Sequence, residues 1–130
     1  MPFSSKPLSA DPEGFAPDGS EVRLLGGLPA ASMAEFRLPP GMVAAAVTHR
    51  TVSEIWFVLA GRGRVWRADN GREEILTLEP GLSLTIPLGT HFQFRNDGVE
   101  PLRILGVTMP PWPGPDEAMP VSGPWSLSAL

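Results

Sequence analysis

Two histidines, His49 and His91, are the only imidazoles in this 130-residue chain. The first stands five positions before Glu54, within VTHRTVSEIWFVLAGRG, the most apolar part of the sequence. An imidazole beside a carboxylate can take up and return a proton near neutral pH, since histidine titrates there and the neighbouring charge raises its basicity. The same two side chains could supply part of a metal site, with His91 as the one further imidazole. A purely structural pair explains them equally well, because a buried charge needs a partner. Other chemistries are closed off. There is no cysteine, which excludes thiolate catalysis, disulfides and Cys-ligated zinc. A net charge of -4 with no basic run argues against a nucleic-acid partner.

Short strands must position these residues. Only Pro80, Pro87 and Pro101 of 16 prolines fall between Gly41 and Met109. Proline removes a ladder donor, so the middle reads as sheet and the ends as irregular chain. Turn signals recur at Pro39-Pro40-Gly41, Gly61-Arg62-Gly63, Asp69-Asn70-Gly71, Glu79-Pro80-Gly81, Pro87-Leu88-Gly89 and Asn96-Asp97-Gly98. Between them lie the expected strands Val43–Thr48, Glu54–Ala60, Arg62–Asp69, Glu73–Glu79, Leu82–Pro87, His91–Asn96 and Leu102–Thr108, with Glu21–Leu25 and Met33–Leu38 upstream. Many short strands without a helical period predict an all-β sandwich or barrel. The expected organisation is a flexible arm over 1–19, a barrel over 20–109, and a proline-rich tail over 110–130 that packs on the barrel or on a partner. Trp112 and Trp125 are why the tail is expected to pack.

Alternation assigns faces. Val43, Ala45, Val47 and His49 share one side of their strand; Glu54, Trp56, Val58 and Ala60 share one side of the next, with Ile55, Phe57 and Leu59 opposite. A strand apolar on both faces is covered twice, which predicts a homodimer. If the two strands form a hairpin, His49 and Glu54 meet at one end of the barrel. His91 has the parity of Gln93 and Arg95, whereas Phe92 and Phe94 face the other way.

These residues resemble the cupin superfamily over roughly Gly41 to Asn96. The first cupin motif runs glycine, five residues, histidine, one residue, histidine, three or four residues, glutamate, six residues, glycine. Gly41, His49, Glu54 and Gly61 fall in place, but Val47 stands at the first histidine position. In the second motif Gly81, Pro87, Gly89 and Asn96 match, while Phe92 occupies the histidine position and His91 comes one residue early. The resemblance implies a double-stranded β-helix, a jelly-roll-like barrel, with a ligand or metal site inside. Members that bind metal use three histidines and one glutamate. Here two of the four remain, so the cofactor expectation is none, or a weakly held divalent Zn, Fe, Mn or Ni on His49, Glu54 and His91 if a bulge turns His91 inward.

Val47, Trp56, Phe92 and Phe94, with Val43, Ala45 and Val58, would make an apolar, aromatic lining, with His91 as a further candidate at its edge. Such a lining suits a small, partly hydrophobic or planar organic ligand better than a sugar phosphate. It could equally be solid barrel filling. Three functions follow. His49 and Glu54 could catalyse an isomerisation, elimination or cyclisation as acid and base. The chain could be a metal-dependent dioxygenase or sugar-phosphate-type isomerase. It could also bind a ligand without chemistry. The start of the chain, MPFSSKPLSADPEG, has no apolar core and does not read as a signal peptide. No apolar run is long enough to span a bilayer, and the expectation is a cytoplasmic protein.

Overall fold

In the computed structural model, which describes residues 2–127, eleven strands and one 3₁₀ turn form two facing antiparallel sheets. The strands are β1 (Gly14–Phe15), β2 (Glu21–Leu28), β3 (Ala31–Leu38), β4 (Val47–His49), β5 (Ser53–Ala60), β6 (Gly63–Asp69), β7 (Arg72–Leu78), β8 (Ser83–Ile86), β9 (His91–Asn96), β10 (Leu102–Met109) and β11 (Ala118–Pro120). One sheet has the order β1-β2-β3-β10-β5-β8 and the other β11-β4-β9-β6-β7. The all-β reading holds, and β9 has the bounds expected of it.

Alternation explains what fills the space between the sheets. On β5, Glu54, Trp56 and Val58 point inward and are buried, while Ile55, Phe57 and Leu59 are exposed on the outer face at 45%, 37% and 41%. Leu38, Val58, Val65, Leu78, Leu102 and Ile104 close one part of the interior with aliphatic packing. Each such side chain contributes roughly 1.5–3 kcal/mol by leaving water. Gly61, which ends the first sequence motif, has φ 90, and a Cβ there would lie 2.7 Å from Leu102 Cα. Only glycine lets β5 turn into β6 so close to β10.

Three expectations need correction. Val43–Thr48 is not one strand: only Val47–His49 pairs fully, and Val43 makes an isolated bridge to Arg95. Nor do β4 and β5 form a hairpin, since they belong to different sheets. The chain crosses the sandwich at Arg50–Val52, with Val52 fully buried. The arm, expected to hang free to residue 19, contributes β1, paired with β2. Buried Arg23 holds it by donating to the carbonyls of Ser9 and Ala10, both at 3.0 Å.

The tail folds back twice. It leaves β10 through a cis Met109–Pro110 peptide, and β11 then adds to β4 with Ala118 opposite His49. Further on, the Gln93 side chain donates to the Trp125 carbonyl at 2.8 Å and accepts from the Trp125 N–H at 3.1 Å. The Trp125 ring lies under the Arg64 and Arg95 guanidiniums, each 5.4 Å from its centre. This covers Gln93, a buried amide on the outer side of β9.

Candidate functional site

Crossing between sheets, rather than turning within one, brings His49 and Glu54 together. The inner face of β4 looks across at the inner face of β5, and His49 Nδ1 stands 3.3 Å from Glu54 Oε2. Both residues are buried. The imidazole is held edge-on between two rings, Phe92 at 5.2 Å and Trp112 at 5.4 Å between centres. Trp56 continues the series, meeting Phe92 at 5.6 Å and Phe94 at 5.2 Å, again in T-shaped contacts. Such contacts fix ring orientation as well as burying area.

These residues border a cavity of about 540 Å³. Val47, His49, Glu54, Trp56, Phe92 and Phe94 all line it. Val43, Ala45 and Val58 do not; Val58 sits in the packed core instead. The arm supplies a wall from Glu13 to Asp18, and the tail adds Trp112, Pro115 and Ala118. Arm residues were not foreseen as cavity wall; the local signal there is the Asp18-Gly19-Ser20 turn, in which Asp18 Oδ1 accepts from the Ser20 N–H and hydroxyl. Ser32 helps seat the tail. Its hydroxyl accepts from the Trp112 N–H at 3.0 Å and meets the Thr108 hydroxyl at 2.7 Å.

Burial dominates the electrostatics. It pushes the Glu54 carboxyl up to about 8; Asp18 and Glu117 add to the rise and the Trp56 indole opposes it. Burial likewise pushes His49 below the usual histidine range, with Glu117 pulling the other way. Near pH 7 the pair is therefore a protonated carboxyl beside a neutral imidazole. Glu117 goes the opposite way. Burial alone would raise it, but it accepts from the Thr51 N–H at 2.6 Å, the Thr51 hydroxyl and the Val52 N–H at 3.0 Å, and these bonds hold it below the carboxylate range.

Two side-chain atoms among the described residues are sealed without a hydrogen-bond partner, His49 Nδ1 and Trp56 Nε1. Both belong to this wall, and orphaned polar atoms of this kind are rare enough to need a reason. The other imidazole nitrogen, Nε2, is neither sealed nor hydrogen-bonded, so it is the one a guest can reach.

His91 does not belong to the site. It is exposed on the outer side of β9, and no bulge turns it inward. With Val47 and Phe92 at the remaining positions, only two of the cupin metal ligands are present. Among the described residues no group of three or more His, Asp or Glu side chains could hold a metal ion. The residues present do not fit a specific metal centre. The arginines that could have met an anion are engaged elsewhere: Arg37 with Glu35, Arg64 with Asp97, and Arg67 with Glu74. Among the described residues no helix is long and apolar enough to cross a membrane.

Comparison with known proteins gives the same fold. The family model for the cupin domain matches residues 34–108. An uncharacterized protein of Methanocaldococcus jannaschii, MJ1618, is 35% identical over 81 residues, which is 62% of this chain and 62% of that protein. This chain thus spans less than two thirds of that relative. Oxalate decarboxylase from Bacillus subtilis superposes with a TM-score of 0.74 at 18% identity, over 93% of this chain and 33% of that one. Streptomyces PAC13, solved with uridine, gives 0.68 at 15% identity over 92% of both chains. At these identities the two structures speak to fold alone, and one fold carries many chemistries.

Proposed function

The chain belongs to the cupin family, and we propose that it binds a small, planar, partly apolar organic molecule in its barrel and moves a proton on it through His49. Glu54 is the orienting partner of the imidazole. The observation that carries this reading is the buried pair, 3.3 Å apart, whose Nε2 opens on a cavity of about 540 Å³. A neutral imidazole is a base, and a protonated carboxyl behind it is a proton reserve, so the wall can take a proton at one guest atom and return one at another. That sequence is what an isomerisation, elimination or ring closure needs. Positioned proton transfer contributes roughly 10²–10⁴-fold to rate.

The test uses molecules found to raise the melting temperature saturably, each followed by proton NMR in D₂O. We expect a C–H of the bound molecule to exchange for deuterium with the wild-type chain, and about 10²-fold more slowly with His49→Gln, which still binds. Equal exchange by the variant removes His49 from the chemistry. Saturable binding without exchange by either chain makes the barrel a carrier or sensor.

We also propose that a second copy covers the outer face of β5. Ile55, Phe57 and Leu59 are exposed there beside Leu105 and Val107 of β10, an apolar stripe of the kind that interface centres carry. Sedimentation should give a dimer that Phe57→Glu converts to monomer; a wild-type monomer at high concentration contradicts it.

A further inference from the structure

The charge of the cavity says more about the guest. No lysine or arginine is among its lining residues, which include the carboxyl groups of Glu13, Asp18 and Glu54. Lys6 pairs with Glu13 at the wall itself and bonds the Leu24 carbonyl; Arg23, Arg37, Arg95 and Arg103 pair with Glu21, Glu35, Asp97 and Glu35, and Arg50 donates to the Asp116 carbonyl. Lys6 is already neutralised by Glu13, so an entering anion finds no unpaired cation among the described lining residues.

Two of the carboxyl groups keep unused capacity. Asp18 Oδ1 takes both bonds from Ser20, at 2.9 Å and 2.7 Å, and no other residue donates to Oδ2. Glu54, only 4% exposed, has His49 Nδ1 at 3.3 Å and the Trp56 indole beside it. Carboxyl oxygens in a cavity wall with lone pairs left unfilled can accept from a ligand. Around them stand six rings, Phe15, Phe36, Trp56, Phe92, Phe94 and Trp112. Aromatic faces attract cations, more strongly where water is excluded.

Resting on the reading of the barrel as a binding site, we propose that the guest is an organic cation: a small aromatic or heteroaromatic amine, its charged nitrogen held by Asp18 and Glu54 and its flat body by the rings. The titratable groups around the nitrogen would be Asp18 and Glu13 from the arm, His49 from β4, Glu54 from β5 and Glu117 from the tail. Burial raises the carboxyls of both Asp18 and Glu54, and Asp18 adds to the rise at Glu54, as expected of two acids sharing a dry site without a counter-ion.

Benzylamine, benzyl alcohol and benzoate put a positive, neutral and negative group on one ring, and calorimetry near pH 7.5 compares them. We expect benzylamine to bind about tenfold tighter than benzyl alcohol and benzoate to give no saturable heat. Asp18→Asn, which keeps Oδ1 for Ser20, and Glu54→Gln should each bring benzylamine towards the alcohol. Equal binding of amine and alcohol, or binding of benzoate, overturns the cation preference and leaves the pocket reading standing. Saturable binding by none of the three overturns both. The deuterium-exchange test on His49 is independent of guest charge, so failure there leaves the cation preference intact.

Discussion

The two halves of the barrel are built by the same alternation and end differently. In one, Leu38, Val58, Val65, Leu78, Leu102 and Ile104 interlock and leave no room. In the other, large rings from β4, β5, β9 and the tail face small residues, Ala34, Gly106 and Ala118, and a space of about 540 Å³ remains. At Gly106 a Cβ would come within 2.5 Å of the Phe36 ring, so that glycine lets a ring take the wall without filling the centre. Buried polar groups occur in both: Asn96 donates to the Leu38 and Glu100 carbonyls beside the packed half, and the hollow half holds His49 and Glu54, with Asp18 at its wall. One half stabilises the fold and the other gives up packing for a site, as functional sites do.

That contrast can be broken at the packed end with the largest effect. Leu102→Ala should cost about 2–5 kcal/mol in denaturant unfolding; a loss below about 1 kcal/mol would mean that this half is not the stabilising one.

The hollow end should show a pH signature. Below the ordinary glutamate value both folded and unfolded chains hold the Glu54 proton. Between 4.5 and about 8 the folded chain keeps it and the unfolded chain has released it, so stability falls as pH rises through that window and the loss is complete above it. The size is on the order of 4 kcal/mol. His49 acts with the opposite sign: its lowered value makes stability rise with pH up to the ordinary histidine range. Glu54→Gln should remove the larger part of the fall, leaving the share of Asp18, which burial also raises, and should leave the rise. A pH profile unchanged in that variant would contradict the desolvated carboxyl.

Smaller effects sharpen the boundary between tail and barrel. Glu117→Gln keeps the shape but weakens three bonds to Thr51 and Val52, and should cost about 1–3 kcal/mol, read as a lower melting temperature. The smallest effect belongs outside both halves: His91→Ala should change stability by no more than about 0.5 kcal/mol and leave metal content as it was.

Much of this was legible in the sequence, for physical reasons that also mark its limits. Strands β5, β6, β9 and β10 run for six or more residues and lie within one residue of their expected bounds, and alternation gave the faces of β5 and β9. Parity alone put Phe92 and Phe94 inside and His91 outside. The strands β1 and β11 have two and three residues, too few for a period, and exist because other elements hold them. Ala44, Ala45 and Ala46 look like strand in composition, yet this stretch forms no regular strand: Ala44 donates to the Phe94 carbonyl and Ala45 to the Asp18 carbonyl. His49 and Glu54 were legible as a pair, though through a hairpin that does not form. Their meeting depends on two sheets facing each other, and so does the arrival of Asp18. No local pattern encodes such a distance.

The central claim is that the His49–Glu54 pair rests as neutral imidazole and protonated carboxyl, desolvated in the wall of the cavity. Nitrogen-15 NMR of the His49 ring across pH 4 to 9 tests it most directly. The account predicts a neutral ring at pH 6.5, with its midpoint below that of an ordinary histidine. A midpoint above the ordinary value, the signature of an imidazolium paired with an ionised Glu54, would contradict it.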